Sequence, residues 1–502
     1  MENIAFLPIA PEIAALAGAV IVLMSAAALG QERREWGVAG AVALLVAVAL
    51  SVLQWLRLDS LESARELAFS ARGVTSAVQN PMVVMDRFSA VVGVAVYLVA
   101  FLALVGNWRL VETLSERGAE YLALVLLSAA GLHMMVISSN LVLLFMGLET
   151  ASIALYVIAG FTRTERNSDE SALKYFLLGS FASAIFIYGV ALVYAGTGSI
   201  SIYGSAGIRQ FFSTQPVAVL DVGILLTGIA LIIVGLAFKV TAAPFHQWAP
   251  DVYQGAASGS VSLMAAGVKV AAVGALIRLL MGAFGTRIDD WAPLLAILAA
   301  ASVVIGTIGA IGQRDLKRML AYSGVAHAGF MLTAFVAGGV AIPSILFYLF
   351  TYVIALVGAF TITGIVSGVG SGSSAFDDYK GLNERSPWVA GTLAVFMLGL
   401  GGIPFFSGFV GKFAVFTQAI SVGYLWLVIV ALVASIAGLF FYLRVVVLMY
   451  FEDSALAEAP GTATAAPRMT GGSGSVVLGT AALTILLGVV PWPLLNLLRF
   501  VL

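Results

Sequence analysis

Cysteine is absent from the 502-residue sequence, and histidine is nearly so. Without thiols the chain offers neither a disulfide, nor a thiolate metal site, nor a cysteine nucleophile. The three histidines, His133, His246 and His327, lie far apart in sequence, which argues against a histidine-rich metal centre. Nucleotide-binding and haem-attachment patterns are also missing from the sequence. These absences disfavour a redox enzyme that carries its own cofactors.

Charge is the next scarcity. Only 10% of the residues are charged, whereas 61% are hydrophobic. A soluble protein carries about a quarter charged residues, so this chain cannot cover a water-facing surface. The formal net charge of −1 gives no basic face for nucleic acid. The composition therefore predicts an integral membrane protein whose main solvent is the lipid bilayer.

Apolar runs of about 20 residues, long enough to span a bilayer, follow one another along the chain. Alternating strand patterns are absent, and the first run lacks the basic flank and cleavage site of a signal peptide. We predict an all-α polytopic bundle, with residues 59–80 as a surface helix or loop. The predicted spans, about fourteen, are 10–29, 37–56, 86–107, 118–137, 140–162, 171–196, 217–239, 256–280, 292–312, 318–339, 342–366, 388–421, 423–450 and 475–496.

Two of these runs contain an internal break. Prolines follow an apolar helix in KVTAAPFHQWAP (239–250), and Gly401, Gly402 and Pro404 interrupt GLGGIPFFSGFVGK (399–412). A break frees backbone groups that need protein or water partners at membrane depth. Broken helices at matching places in two halves are typical of transporters. Because the breaks lie five runs apart, the sequence indicates a duplicated five-helix unit.

The lysines are distributed unevenly. Four of the six, Lys174, Lys239, Lys269 and Lys412, lie in or at the ends of apolar runs, whereas Lys317 and Lys380 are placed, with the arginines, in loops or at helix ends. Arginine keeps its proton under biological conditions, but a desolvated lysine can exchange one. Lysines in a bilayer are therefore candidates for a proton pathway. Lys174 follows Asp169 and Glu170, so it is equally compatible with a lysine that extends to the membrane surface.

Glu149 is the complementary carboxylate. It lies about nine residues into its run, or about 14 Å from the run's start, near the bilayer centre. Such a buried acid marks either a functional site or one half of a static interhelical ion pair. His246 lies in the first broken segment and His327 near the start of a helix, so each either extends a water chain or is structural. We expect His133 to be structural.

Several stretches resemble a known family. FKVTAAPFHQWAPDVYQGA (238–256), RDLKRMLAYSGVAHAGF (314–330) and LGGIPFFSGFVGKFAVF (400–416) are similar to the proton-translocating subunit N of respiratory complex I, the NADH–quinone oxidoreductase. The resemblance covers nearly the whole chain. Two local departures are GAASGSVS at 255–262 and SGFVGK at 407–412, neither of which removes an ionisable group.

The resemblance implies an all-α fold of fourteen transmembrane helices with two inverted five-helix repeats, each containing a broken helix. It implies that Glu149 pairs with Lys239, that Lys269 is the central connecting lysine, and that Lys412 belongs to the second broken helix. Lys174 matches a further lysine of the first half. The expected units are 1–117 (three N-terminal helices), 118–280 and 281–451 (the two repeats), and 452–502 (linker and last helix).

The same resemblance implies a multi-pass protein of the prokaryotic plasma (inner) membrane. Its expected partners are the other complex I subunits, especially the neighbouring antiporter-like and small membrane-arm subunits. NADH, FMN, iron–sulfur clusters and quinone are expected in those partners, with no cofactor in this chain. Two other readings stay open: an Mrp-type cation/proton antiporter subunit, and a structural membrane subunit whose ion pairs only hold helices together.

Overall fold

Apolar segments in a bilayer must satisfy their backbone hydrogen bonds internally, which selects helices. The structure, a computed structural model, describes residues 6–30, 35–60, 65–68, 81–114, 117–162, 166–214, 222–368, 373–453, 467–469 and 471–501. Its α-helices, numbered in chain order, are α1 (Ala10–Leu29), α2 (Glu35–Ser60), α3 (Arg87–Gly106), α4 (Trp108–Thr113), α5 (Gly118–Ile137), α6 (Leu141–Ala159), α7 (Arg166–Thr197), α8 (Ile208–Thr214), α9 (Val222–Val240), α10 (Trp248–Gly255), α11 (Ser258–Ile277), α12 (Ile288–Ile311), α13 (Leu316–Phe335), α14 (Ile342–Ser367), α15 (Leu382–Arg385), α16 (Pro387–Gly401), α17 (Ser407–Ser421), α18 (Leu425–Phe451), α19 (Gly471–Val489) and α20 (Trp492–Arg499).

Twelve of these helices are long and apolar enough to cross a membrane. Two further crossings bring the total to fourteen. One is α13, which carries Lys317 and Arg318 in its first turn. The other is the pair α16 and α17, two 15-residue helices separated at Gly402. Within the described ranges, the prediction of about fourteen membrane crossings is confirmed.

The crossings divide into two units of five. The first consists of α5, α6, α7, the interrupted helix α9–α10, and α11; the second consists of α12, α13, α14, the interrupted helix α16–α17, and α18. The break is in the fourth crossing of each unit. Because five is odd, consecutive units enter the membrane from opposite sides. The order of helices thus agrees with inverted repeats.

The prediction for residues 59–80 is wrong in part. Helix α2 continues to Ser60, and Arg65–Ala68 (β1) pairs antiparallel with Val83–Asp86 (β2), so a small two-stranded sheet is present. A four-residue strand is too short to show an alternating pattern, and here the partner strand supplies the hydrogen bonds. The remaining residues of this connection, 61–64 and 69–80, lie outside the described residues.

The other long connections are only partly described. A 3₁₀ turn at Phe376–Tyr379 and the single turn α15 occupy the connection before α16. Residues 369–372, and residues 454–466 and 470 of the predicted C-terminal linker, lie outside the described residues. The last predicted run, 475–496, is divided into α19 and α20 where Pro491 and Pro493 follow Val490.

Helices α11 and α14 form the centre of the bundle. Every residue of α11 is buried, and so is 83% of the most apolar 18-residue stretch of the span that contains α14. Glycine permits close approach between neighbours: a Cβ on Gly329 of α13 would lie 2.7 Å from the Ala299 carbonyl oxygen of α12. The helices with the most exposed apolar residues, such as α1, α18 and α19, form the outside of the bundle. Polar side chains on α11 and α13 are therefore far from the lipid face.

Candidate functional site

Glu149 lies on α6 and Lys239 at the end of α9, two helices of the first unit that both pack against α7. Glu149 is partly buried on α6, and its Oε1 atom has no hydrogen-bond partner among the described residues. Tyr156 is two turns further along the same helix, and its hydroxyl is 3.5 Å from Lys239 Nζ. Both Lys239 and Tyr156 are close enough to Glu149 for electrostatic interaction. The carboxylate thus acts on the lysine through its charge, with a tyrosine hydroxyl as the lysine's direct partner.

Lys239 is 4% exposed and is surrounded by aromatic rings. Its Nζ lies 5.2 Å from the ring centres of Tyr156 and Tyr175 and 5.6 Å from that of Phe238. Ring faces attract a cation without removing its proton or fixing it by an ion pair. The ammonium group is therefore stabilised when charged but has no carboxylate that holds it permanently.

The break after Lys239 satisfies its freed backbone groups with protein partners. Thr241 adopts a positive φ of 64°, which ends α9. The Ala243 backbone N–H donates to the Ser302 hydroxyl at 2.8 Å, and the Trp248 indole N–H donates to the Phe238 carbonyl at 3.1 Å. These hydrogen bonds stabilise the break in the helix, and Lys239 lies next to that break.

Lys269 lies in the middle of α11 and is 2% exposed. Its Nζ donates to the Gly324 carbonyl of α13 at 2.6 Å and lies 3.4 Å from the Tyr352 hydroxyl of α14. Neither partner is an acid, so this lysine is bound only by neutral groups. A buried lysine with neutral partners can exist with or without its proton.

His327 connects this region to the second unit. Its Nδ1 atom is 2.8 Å from the Tyr348 hydroxyl and its Nε2 atom 3.0 Å from the Tyr442 hydroxyl, which also bonds the Ser323 hydroxyl. The Tyr352 ring packs against the imidazole with centroids 4.5 Å apart. A continuous set of hydroxyl and imidazole groups therefore surrounds the space next to Lys269.

Lys412 lies on α17, just beyond the second break, and is 6% exposed. Its Nζ donates to the Gly401 carbonyl at 2.7 Å and to the Ser435 hydroxyl at 2.9 Å. The Phe330 ring of α13 lies 4.9 Å away. Gly401 is the last residue of α16, so the lysine binds a carbonyl released by the interruption. His327 is within electrostatic reach of both Lys412 and Lys269.

Lys174 and His246 are placed differently from the other predicted site residues. Lys174 has a side chain 40% exposed and forms ion pairs with Glu170 at 2.6 Å and Asp251 at 2.8 Å. The structure therefore puts Lys174 in a polar cluster at one end of the bundle. His246 is 8% exposed in the first break, its ring 6.0 Å from that of Tyr322, and its Nδ1 atom has no hydrogen-bond partner in the described part of the chain.

Asp251 is the centre of that polar cluster. It is on α10, beyond the apolar span Val222–Val240 of the interrupted helix, and accepts from Lys174 at 2.8 Å and from Arg318 at 2.6 Å. Burial raises the pKa of Asp251, but the two cationic partners outweigh it and leave the pKa below its usual value. The carboxylate therefore joins α7, α10 and α13 while ionised.

Lys317 lies at a helix end, in agreement with the prediction of a loop or helix-end position, but its burial was not predicted. The side chain is fully buried in the first turn of α13, and its Nζ donates to the backbone carbonyls of Gln254 and Ala256 at 3.3 and 3.1 Å. These carbonyls lie at the end of α10, where a positive charge complements the helix dipole.

A buried ion pair and a buried carboxylate–histidine contact were also missed. Arg278 follows α11 in a short π-helical segment, Arg278–Ala283, and binds both carboxylate oxygens of Asp86, at 2.5 and 3.0 Å. Glu12 and His133 approach within 2.8 Å between α1 and α5. Sequence separation hides both pairs, because each partner looks like an ordinary residue near a helix end.

Comparisons with known proteins agree with this arrangement. A family profile described as NADH:quinone oxidoreductase/Mrp antiporter, TM matches residues 138–438. NADH-quinone oxidoreductase subunit N 1 of Solibacter usitatus is 40% identical over 406 residues, 80% of this chain and 82% of the relative. NADH-quinone oxidoreductase subunit N of Mycobacterium tuberculosis is 42% identical over 395 residues, 78% of this chain and 72% of that protein.

Two solved structures share the fold. A chain of respiratory complex I from Thermus thermophilus, solved with bound aureothin, matches with a TM-score of 0.78 and 29% identity, over 97% of this chain and 98% of that chain. A chain of the Mrp complex from Dietzia sp. matches with a TM-score of 0.84 over 100% and 97% of the two chains. At 22% identity, the second match speaks for the fold alone.

Proposed function

Since the chain belongs to the NADH:quinone oxidoreductase/Mrp antiporter family, as a subunit N protein of NADH-quinone oxidoreductase, we propose that Lys239, Lys269 and Lys412 carry the protons that it translocates. The chain is a proton-translocating, multi-pass subunit of this membrane translocase. The proposal depends chiefly on one observation: the three buried ammonium groups have hydroxyl, carbonyl and aromatic partners instead of carboxylates as direct hydrogen-bond partners.

Glu149 sets the charge state of the first lysine. In this proposal, quinone reduction elsewhere in the complex changes the electrostatic interaction between Glu149 and Lys239. Because Lys239 is held by rings and the Tyr156 hydroxyl, a change in that interaction shifts its affinity for a proton. Glu149 and Lys239 interact through their charges without a direct hydrogen bond. This arrangement supports a switchable interaction and disfavours a permanent ion pair.

The proton then moves from Lys239 through Lys269 towards Lys412. Between the last two lysines, His327 supplies two nitrogen atoms in contact with tyrosine hydroxyls. Such groups donate and accept in turn and can complete a chain with water. In the same proposal His246, with an unpartnered nitrogen atom at the first break, extends the chain near Lys239.

Lys174 has a different role from the other lysines. Its partly exposed ion pairs with Glu170 and Asp251 favour a role at the water-facing end of the first unit, where protons enter from water. The units proposed for this pathway are 118–280 and 281–451, with 1–117 and 452–502 as flanking segments. NADH, FMN, iron–sulfur clusters and quinone bind in partner subunits of the complex, among which we propose the antiporter-like and small membrane-arm subunits as neighbours.

The alternatives predict different measurements. A cation/proton antiporter subunit moves protons in response to a sodium gradient without NADH. A structural subunit loses assembly when its buried charges are replaced, yet any complex that does assemble remains fully coupled.

The test compares Lys239→Ala with Lys380→Ala, a lysine whose ion pairs with Asp377 and Glu452 lie outside the membrane spans. Both variants are measured in inverted membrane vesicles for complex assembly, NADH oxidation and NADH-driven acidification. We expect Lys239→Ala to assemble but to lose acidification and coupled turnover together, and Lys380→Ala to behave as the wild type. Wild-type acidification in an assembled Lys239→Ala complex would contradict the proposal.

A further inference from the structure

A cavity of about 420 Å³ lies where four membrane helices begin or end. The C-terminal ends of α3 and α14 and the N-terminal ends of α11 and α19 line it. Helices α3 and α14 are the third and eleventh crossings, whereas α11 follows the seventh and α19 the thirteenth. Because all four numbers are odd, these ends lie at the same membrane surface. Along α11 the cavity is about 16 Å from Lys269, so it is separate from the proposed proton pathway.

The first turn of α11 offers backbone N–H groups that no side chain caps. Ala257 is the N-cap residue, and its side chain makes no capping hydrogen bond. The first N–H groups of a helix have no acceptor within the helix, so a buried helix end needs acceptors from elsewhere. Every residue of α11 is buried, and Ala257, Ser258 and Gly259 all line the cavity. The uncapped end of α11 therefore faces the cavity.

Ser258 adds a buried hydroxyl to the same wall. The residue is 3% exposed, and its Oγ atom has no hydrogen-bond partner among the described residues. Such a hydroxyl is unfavourable unless a ligand or water completes its hydrogen bonds. A Cβ on Gly364 of α14 would lie 3.4 Å from Ser258 Cβ and 2.8 Å from Asn107 Oδ1, so the glycine keeps this wall of the cavity open. Ser258 thus points to a polar ligand.

Helix α19 supplies a second N-terminus. Gly471 and Gly472 are its first two residues, and both line the cavity. A Cβ on Gly471 would have no described atom of another part of the chain within 4 Å, so this end of the helix is open. Helix N-termini carry a partial positive charge and bind phosphate and other anions through their free N–H groups. Two such ends meet in one cavity here.

The charged side chains of the cavity wall favour an anion as well. Arg109, on α4, and Arg468, shortly before α19, are exposed and form no ion pair with another described residue. Glu112 is the one carboxylate among the described lining residues, and it accepts the Trp108 indole N–H at 3.1 Å. Two arginines against one glutamate leave an excess of positive charge. Guanidinium groups bind phosphate oxygens through paired hydrogen bonds.

The surroundings of the cavity favour a lipid as the source of the phosphate. Helix α19 is on the outside of the bundle, and Val105 and Ile365 add apolar surface to the cavity wall. A phospholipid places its phosphate at the membrane surface and its acyl chains beside apolar helices. Basic pockets between membrane helices bind the headgroups of anionic lipids. A soluble phosphate makes no use of the apolar part of the wall.

We propose that this cavity binds the phosphate of an anionic phospholipid, of which phosphatidylglycerol is the probe in the test below. Arg109 and Arg468 bind the phosphate from the water side. The Ser258 hydroxyl and the first N–H groups of α11 and α19 donate to it from the protein side. The site does not depend on the proposed function, because none of its residues belongs to the lysine pathway.

The test uses the intact complex, purified and reconstituted in phosphatidylcholine vesicles. The vesicles contain a small, non-saturating fraction of phosphatidylglycerol with a photoreactive diazirine on an acyl-chain carbon near the glycerol. After illumination and digestion, mass spectrometry locates the lipid on this chain. We expect labelling at the ends of α3 and α14 and at the start of α19, above the level given by phosphatidylcholine with the same diazirine.

Arginine variants measure the electrostatic part of the binding. Arg109→Gln and Arg468→Gln should each lower the labelling about fivefold, the usual effect of one basic residue near an anionic membrane surface. Both residues are exposed, so we expect both variants to assemble. Arg314→Gln is the matched control, because Arg314 is exposed, follows the ninth crossing at the same membrane surface and does not line the cavity. It should leave the labelling unchanged.

Ser258→Ala distinguishes a built site from a basic surface that attracts lipid. This variant keeps every charge and removes only the hydroxyl. A hydrogen bond to a charged group changes affinity about tenfold, so we expect labelling to fall by about that factor in a complex that still assembles. Equal labelling of Ser258→Ala and the wild type would overturn the proposal, and so would an equal loss in Arg314→Gln and Arg109→Gln.

A salt comparison distinguishes a lipid from free phosphate. The wild type is labelled in excess sodium phosphate and in sodium chloride of equal ionic strength. Because the membrane keeps the lipid at a high local concentration, we expect equal labelling in the two salts. Loss of labelling in phosphate alone would show that the cavity takes a soluble anion. No labelling in either salt would show that another part of the complex covers the cavity, and each of these two results overturns the proposal.

Discussion

The Asp86–Arg278 pair permits a quantitative test of what holds the first and central helices together. Arg278 donates to both oxygens of Asp86, and its Nε donates to the Val136 carbonyl of α5 at 3.0 Å. The arginine and aspartate side chains are 2% and 9% exposed. Removing one partner of such a pair leaves a buried charge and costs about 3–5 kcal/mol, or about two to almost four orders of magnitude in an equilibrium constant.

We therefore expect Arg278→Met and Asp86→Asn each to lower the amount of this chain in the assembled complex severely. Asparagine keeps the oxygen that caps α3 through the Ser89 backbone N–H, so Asp86→Asn removes the charge and spares the cap. The double variant leaves neither charge unpaired and should be recovered in larger amounts than either single variant. Native gel electrophoresis, with heat-induced release of the chain, measures all four proteins.

The double variant carries the decisive comparison. If the double variant loses as much stability as the two single variants together, the side chains do not act as a pair. The reasoning from buried charge is then refuted. Equal stability of Arg278→Met and the wild type would refute it more simply.

Two further variants test the polar groups of the candidate site. Tyr442→Phe removes the hydroxyl shared by Ser323 and His327. Leaving these buried groups without that partner should lower stability by about 1–3 kcal/mol. If the proton chain includes this hydroxyl, NADH-driven acidification should also slow in a complex that still assembles, and unchanged acidification would exclude the hydroxyl from the pathway. Asp251→Asn should lower thermal stability by at most about 1 kcal/mol, since the carboxylate is partly exposed. The pKa of Asp251 is depressed below its usual value, so its contribution to stability is present above about pH 4 and is lost only as the pH falls through the depressed value. The contribution is the difference in stability between the wild type and Asp251→Asn at each pH. A difference that already declines at pH 6 would contradict the depressed pKa of Asp251.

The sequence predicts those features that depend on local pattern. Apolar run length predicts the crossings, and a lysine such as Lys269 in the middle of a run is recognisable because nothing near it leads to water. The fully buried Lys317 is not recognisable, because a lysine one residue into a helix normally reaches solvent. Its carbonyl partners, Gln254 and Ala256, are about sixty residues away in sequence.

Long-range pairing explains the remaining misses. Asp86 and Arg278 are 192 residues apart, and neither flanking segment shows that its end is covered by the other. Strand β1 is similarly defined by β2 and has no periodicity of its own. For Lys174 the sequence leaves a buried and a surface position equally open, and only the ion pair with Asp251, on another helix, shows that its side chain is partly exposed.

Helix α13 connects the two broken helices physically. Its first turn binds the end of α10 through Lys317 and binds Asp251 through Arg318. Further along, its Gly324 carbonyl accepts from Lys269, and its Phe330 ring lies beside Lys412. A 20-residue helix is about 30 Å long, so α13 reaches from the polar end of the first unit to the middle of the second. Helix α13 therefore contacts the end of α10, Lys269 and the surroundings of Lys412 along a single element.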